Sequence, residues 1–334
     1  MDLQKVTGIT LLACICWVSA AAQGSNPASP NTEERSDLVA LRQRAEQGDA
    51  KAAYLVCLAY LIGSGVPQDY LEAAKWCRLA ATQNLADAQF ALGVVYERGF
   101  GVVRDYKIAL SYYSAAAKQG HATAQNNLAV MYDLGRGTRR NVREAEHWFR
   151  AAAEQSLIRA QRNLASLEYR QKNYPQAVVW FREAAQHGSA LAQEDLAWMY
   201  YMGTGVPLDY SEAATWIRLA AEQGLSRAQL DLGFLYEQGK GVPLDYVSAY
   251  VWYMAAEDGG QKRAGTQRKS LSLVMTPEQI SAALGKITSA PRLPSGMDET
   301  ENSIGTPFGD TPVSRGDVMG QTKPSSKASN RKRH

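Results

Sequence analysis

The amino-acid sequence predicts an all-α solenoid of stacked helix-turn-helix repeats, and three observations lead there. The middle of the chain repeats itself with a period of 36 residues. Within each period apolar residues return at three- and four-residue steps, the spacing that lines one face of a helix. Turn glycines and helix caps recur at the same places in the full units, as they do in arrays of identical supersecondary elements.

At the amino end, Val6 to Ala22 form a nearly unbroken apolar or small stretch ending Ser19-Ala20-Ala21-Ala22, which reads as a secretory signal over 1–22 with the cut after Ala22. Two rivals stay open. One is a retained single-span anchor, since roughly 17 residues just crosses a bilayer. The other is a lipoprotein signal, because Leu11-Leu12-Ala13-Cys14 has lipobox form. Cleavage after Ala22 removes Cys14 and Cys16 and leaves Cys57 and Cys77 of the four cysteines. No later run approaches the roughly 18 apolar residues of a membrane span, so the mature chain is expected to be soluble. Residues 23–36 (QGSNPASPNTEERS) have linker composition, and 37–48, with LVALRQRAEQG from Leu38, has the pattern of a lone second helix that caps the front of the array.

Repeats follow at 49–84, 85–120, 121–156, 157–188, 189–224 and 225–260, together 49–260. The last two agree most closely: AQEDLAWMYYMGTGVPLDYSEAATWIRLAAEQG from Ala192 returns as AQLDLGFLYEQGKGVPLDYVSAYVWYMAAEDG from Ala228. In the first helix, triplets such as Ala88, Leu92 and Tyr96 share one face, and a small residue (Gly93, Ala129, Ala197, Gly233) marks close approach of a neighbour. The G-x-G pairs that begin at Gly63, Gly99, Gly135, Gly203 and Gly239 then reverse the chain. A phosphate-binding loop would need a preceding strand, and none is predicted.

The second helix starts at Asp or Asn with Glu three residues on (Asp69 and Glu72, Asn141 and Glu144, Asp209 and Glu212), a capping-box pattern. Aromatic residues alternate with alanine pairs in its body, as in Trp148-Phe149 and Ala152-Ala153, and Gly120, Gly188 and Gly224 close it. The fourth unit departs from this: YRQKNYPQA from Tyr169 lacks G-x-G and is four residues short. Beyond the array, 261–287 is expected to hold a capping helix opened by Thr276-Pro277-Glu278. From 288 to 334 the composition turns to Pro, Ser, Gly and Thr and ends in Arg331-Lys332-Arg333-His334, a disordered tail with a basic tip.

These units resemble Sel1-like repeats, close relatives of tetratricopeptide repeats, through A-Q-x-x-L-G-x-x-Y, then G-x-G-V-x-x-D, then an aromatic core and A-A-x-x-G. The resemblance covers about Asp49 to Gly260 and implies a right-handed α/α superhelix. It also implies a concave face, lined by first helices, that takes a protein or peptide partner. On this chain that face falls at Tyr54, Phe90, Val94, Trp198, Tyr201, Leu230 and Phe234, with Leu58, Val130 and Ser166 at equivalent places. Two readings of them stay open: packing against the next repeat, strongest for Leu58, Val94 and Val130, and an aromatic hot spot at Trp198, Tyr201 and Phe234. Cys57 stands at the small-residue place of its first helix and Cys77 at the aromatic place of its second, so they are either bridged or two buried thiols.

Composition and motifs narrow the function classes. With 46% apolar and 21% charged residues the chain folds around a sizeable core, and 36 basic against 33 acidic residues (net +3) provide no phosphate-tracking stripe, which argues against nucleic acid. No cofactor or zinc spacing is present, and His121, His147, His187 and His334 read as surface or rim residues. Cysteine-rich relatives are linked to β-lactam or cell-wall chemistry, yet the one S-x-x-K runs from Ser329 to Lys332 in the tail, without S-D-N or K-T-G. The expectation is therefore an exported, periplasmic or secreted, non-catalytic adaptor. The alternative is a cell-wall or β-lactam-directed hydrolase, and membrane contact arises only if the N-terminal segment is retained or Cys14 lipidated.

Overall fold

The structure, a computed structural model, describes residues 32–286. The predicted signal, Cys14, most of the linker, Ser329 and the basic tip lie outside the described residues. Within them there are fifteen helices and no strand: α1 (Thr32–Glu46), α2 (Ala50–Ile62), α3 (Tyr70–Ala81), α4 (Ala86–Arg98), α5 (Tyr106–Lys118), α6 (Ala122–Leu134), α7 (Val142–Ala153), α8 (Ile158–Arg170), α9 (Tyr174–Gln186), α10 (Ala190–Met202), α11 (Tyr210–Glu222), α12 (Ser226–Gln238), α13 (Tyr246–Asp258), α14 (Lys262–Ser272) and α15 (Pro277–Lys286). Two compact units divide the chain after Leu164.

In the first unit α2 packs on α3, α4 on α5 and α6 on α7, and α3 and α5 also pack on the first helix of the following repeat. The second unit is built the same way from α9 through α14, with α15 laid on α13. Two ends differ from expectation. Helix α1 starts at Thr32, inside the stretch read as linker, and the carboxy-terminal cap is two helices, divided at a Thr276–Gln279 reciprocal cap. Gln279 Oε1 accepts from the Thr276 amide at 2.9 Å and Thr276 Oγ1 from the Gln279 amide at 3.3 Å, which restarts the helix at Pro277.

The core of each hairpin turns on one facing pair. At Gly93 of α4 a Cβ would stand 2.6 Å from the ring of Tyr113 on α5, and at Gly233 of α12 the same distance from Tyr253 on α13. Where the first helix has alanine the partner is smaller: Ala165 shares a core with Phe181, and Ala197 with Ile217. In the first repeat the pair is Cys57 and Cys77, both fully buried and joined as a disulfide with Cα atoms 5.1 Å apart.

The two glycines of each G-x-G have different tasks. The first (Gly63, Gly99, Gly135, Gly203, Gly239) is the helix C-cap, with φ between 63° and 77°. The second lets the loop lie on the preceding hairpin: a Cβ at Gly101 or Gly241 would collide with the carbonyl of Tyr70 or Tyr210. In the fourth repeat, which lacks the pair, Lys172 takes the left-handed conformation at φ 65°.

Each second helix except α9, where Asn173 makes no cap hydrogen bond, is capped by its own Asp or Asn, as Asp69 Oδ1 accepts from the amides of Leu71 and Glu72 at 2.9 and 3.1 Å. The reciprocal half of the predicted box is used otherwise. Glu72 accepts from Lys75 Nζ at 2.6 Å, and Glu144 from Trp148 Nε1 at 3.2 Å.

Candidate partner-binding face

The predicted partner-binding residues all lie on first helices, but the structure buries most of them. Phe90, Trp198 and Tyr201 are 3%, 7% and 3% exposed, and Val94 and Leu230 are also buried. Phe90 stacks on the His121 ring of the next repeat at 4.7 Å and tilts against Tyr113 at 5.8 Å. Trp198 and Tyr201 stack at 6.0 Å inside a core that also holds Leu232 and Leu235, and Leu230 packs with Tyr250 and Leu271. The hot-spot reading of Trp198 and Tyr201 is thus corrected. At these places the next first helix, not solvent, meets the side chain, so burying these rings holds repeat to repeat. Tyr54 and Phe234 remain partly exposed, as do Leu58 and Val130, whereas Ser166 is buried.

Sequence reasoning missed a set of buried polar side chains on the same helices. In the first unit Asn163 Nδ2 donates to Asn126 Oδ1 at 2.9 Å, with both residues buried. In the second, buried Glu194 is held by Nε and Nη2 of Arg227 in a fork, and Asp195, next to it in sequence, and Asp231 on α12 are also buried.

A glutamine ladder runs under them. Gln155 Nε2 donates to Gln125 Oε1 at 2.7 Å, and Gln125 Nε2 to the Ala117 carbonyl of the preceding repeat at 3.2 Å. The second unit repeats it, with Gln223 donating to Gln193 at 2.7 Å and Gln193 to the Ala185 carbonyl at 3.1 Å. Each such glutamine adds a second donor to a carbonyl near a helix end that already accepts a backbone amide, as Ala117 does from Gly120 at 3.0 Å and Ala185 from Gly188 at 3.0 Å. The signal for it was the A-Q dipeptide, which returns in five repeats at an inward-facing place.

Further clasps join neighbours. Arg78, Arg182 and Arg218 donate to the hydroxyls of Tyr96, Tyr200 and Tyr236 at 3.0, 2.8 and 3.2 Å, each 18 residues on. The middle residue of G-x-G sits on the tyrosine that opens the preceding second helix: Phe100 stacks on Tyr70 at 4.5 Å, and Arg136 lies over Tyr106 at 5.9 Å. Lys240 does this most fully, over the rings of Tyr201, Tyr210 and Phe234 at 5.1, 5.3 and 5.9 Å, with Nζ donating to the Tyr201 hydroxyl at 2.8 Å.

Titratable groups are committed to packing. Burial first, then Glu97, which accepts from its hydroxyl at 2.6 Å, pushes the Tyr113 phenol well above its ordinary value. Burial and Glu237 push Tyr253 up likewise. His121 caps α6, its Nδ1 accepting from the Ala124 amide at 3.1 Å, while Nε2 stands 3.4 Å from Asp87. The hydrogen bond from His121 holds the Asp87 carboxyl below its usual value. Among the described residues no group of three His, Cys, Asp or Glu side chains could hold a metal, and no helix is long and apolar enough to cross a membrane.

The family profile described as Sel1 repeat matches six times, at 50–85, 86–121, 122–157, 158–189, 190–225 and 226–260, mostly one residue later than the division made from the sequence. No curated protein sequence matches the chain. Among solved structures, a protective antigen present in uropathogenic Escherichia coli strains, displaying an SLR fold, is similar at 35% identity and TM-score 0.69 over 76% of this chain. The chain spans 56% of the length of that antigen. A Sel1 repeat protein from Oxalobacter formigenes is similar at 36% identity and TM-score 0.62, over 69% of this chain and 68% of that one.

Proposed function

The chain belongs to the Sel1 repeat family, and from that premise we propose that it is an exported, non-catalytic scaffold that docks a protein partner along the first-helix face of its repeats. Sel1 repeat proteins are all-α solenoids that generally serve as non-catalytic scaffolds and mediate protein–protein interactions.

The observation that carries the reading is variation laid over a fixed frame. The third residue of every first helix is a buried alanine (Ala52, Ala88, Ala124, Ala160, Ala192, Ala228), and the seventh is Val56 or a fully buried leucine. The last residue changes character at each repeat: Ile62, Arg98, Leu134, Arg170, Met202, Gln238. All but Ile62 are exposed. Packing fixes the first two positions, whereas the third, released from packing, gives each repeat a different contact for a partner to read. Phe234, partly exposed and flanked by Lys240, supplies an aromatic anchor on this face.

Capture from an envelope extract on the immobilised chain from Gln23 tests this. A protein held by the wild type and released by a Met202→Ser/Phe234→Ala variant with unchanged helical CD supports it. A column that retains no protein removes the scaffold reading. Export draws support from the composition of 1–22 and from the buried Cys57–Cys77 bridge, which suits an oxidising compartment. An intact mass starting at Gln23 checks it, and a mass that includes Met1 refutes cleavage.

A further inference from the structure

We infer that the loop edge of the second and third repeats is a docking strip for an acidic peptide segment of a protein partner, an inference that rests on the scaffold reading above. A net charge of +3 conceals a local concentration of cations. Arg104 and Lys107 stand at the start of α5, and Arg136, Arg139, Arg140 and Arg143 at the corresponding turn one repeat later. All six are exposed.

The two tiers are in contact. The Arg104 and Arg136 guanidinium groups lie 5.4 and 5.9 Å from the centre of the same Tyr106 ring. Gly137 lies against the Tyr106–Lys107 backbone, so the arginine-bearing loop rests on the start of α5.

Counter-charge is present but small. Glu97 stands 3.8 Å from Arg136, and Asp133 takes Arg140 at 3.2 Å. Asp105 and Glu144 are committed to the α5 cap and to Trp148. Among the described residues no carboxylate pairs with Arg104, Lys107, Arg139 or Arg143. The same loop places in the second unit are Thr204, Pro207, Leu208 and Ser211, and Lys240, Pro243, Leu244 and Val247, with Lys240 the one cation among them, so the concentration of charge is particular to this part of the array.

The kind of anion follows from the side chains. Five of the six cations are arginine, whose planar fork matches carboxylates two donors at a time, and Tyr106, Glu97 and Asp133 hold Arg104, Arg136 and Arg140 in place. A lipid surface attracts lysine and arginine alike and gains nothing from such prior alignment. Discrete carboxylates spaced along an acidic segment use it fully.

The test is fluorescence anisotropy of the full mature chain with a labelled peptide of alternating glutamate and alanine. Phosphatidylglycerol vesicles and an oligothymidylate are titrated in parallel. The peptide should bind with an affinity that falls as salt rises, and Arg139→Glu/Arg143→Glu should weaken it by about tenfold or more. Lys118→Glu, an exposed change away from the strip, should leave it unaltered. Equal affinity in wild type and double variant, or vesicles or oligonucleotide bound while the peptide is ignored, overturns the strip and leaves first-helix docking standing. Protein held on the capture column equally by the wild type and by Met202→Ser/Phe234→Ala, beside intact peptide binding, overturns first-helix docking and leaves the strip standing.

Discussion

The ring of Tyr113 occupies the space that Gly93 leaves open, with a Cβ at Gly93 falling 2.6 Å from it. Tyr253 and Gly233 repeat the relationship, so residue sizes across the hairpin are matched pair by pair. Glycine inside a helix costs about 1 kcal/mol relative to alanine, which makes Gly93→Ala favourable for the helix alone. Overpacking against a ring fixed by burial costs about 1–3 kcal/mol and wins. Gly93→Ala should lower stability by about 1 kcal/mol or more. The atoms it strikes are ring carbons, so Tyr113→Ile in the same chain, the size that Ala197 meets in Ile217, should recover part of that loss. Urea midpoints of the single and double variants check this, and strictly additive losses would count against size matching.

The glycines predict a second contrast. Gly120 and Gly241 both have positive φ, 86° and 69°, but a Cβ at Gly120 meets nothing within 4 Å while one at Gly241 meets the Tyr210 carbonyl. Gly120→Ala should cost only the left-handed backbone penalty, about 1 kcal/mol. Gly241→Ala should cost distinctly more, because the carbonyl it strikes belongs to the first residue of α11 and cannot swing aside. Equal thermal midpoints for the two variants would contradict the close approach.

Reducing the Cys57–Cys77 bridge, which spans 20 residues, should cost about 3 kcal/mol in the first repeat. In a stack whose repeats touch only their neighbours, the loss stays local. Amide exchange in α2 and α3 should therefore accelerate on reduction while α12 and α13 are unchanged. Two thiols titrating in the denatured, unreduced chain would show that no bridge exists.

Alkaline pH should act through Tyr113 and Tyr253. Both phenols are raised above their ordinary value by burial and a neighbouring glutamate. Their contribution is complete below the unfolded value of about 10 and is lost as pH climbs through and beyond it. The urea midpoint should fall between pH 8 and pH 11. Tyr113→Phe should be less stable at pH 8, by about 1 kcal/mol for the lost hydrogen bond, yet lose less on going to pH 11. A parallel decline in wild type and variant would exclude Tyr113 as a titrating group.

Gln125→Leu should unsettle the ladder. It keeps the bulk but removes one hydrogen bond to the Ala117 carbonyl, which keeps the Gly120 amide, and one from Gln155, which keeps the Ala151 carbonyl, each worth about 0.5–1.5 kcal/mol. Gln155 is exposed and can turn outward, so a loss of about 1 kcal/mol is expected in a denaturant titration. A neutral change would mean that water fills the gap.

Helices, turns and caps were legible because each rests on local chemistry: the face traced by Ala88, Leu92 and Tyr96, the left-handed glycine at Gly99, the amide-binding carboxylate of Asp105. Size matching was half legible, since recurring small residues announced a close neighbour without naming Tyr113 or Tyr253. Periodicity could not tell whether Trp198 and Tyr201 meet solvent or the next repeat, because both outcomes put the side chain on the same helical face. Gln125 and Glu194 were missed because polar residues are read as surface until a partner such as Gln155 or Arg227 is seen beside them. The Arg136–Arg143 cluster was lost in a charge sum taken over the whole chain.

The glutamine ladder bears on how such an array changes length. Gln193 sends one hydrogen bond back to Ala185 and receives one from Gln223, and Gln229 in the next repeat sends its own back to Ala221. The fifth repeat thus carries a plug on its leading edge and a socket on its trailing edge. A gene duplication of 189–224 would place a matching socket before the copy and a matching plug behind it, so chains of this kind can gain or shed whole repeats by recombination with every junction already complementary.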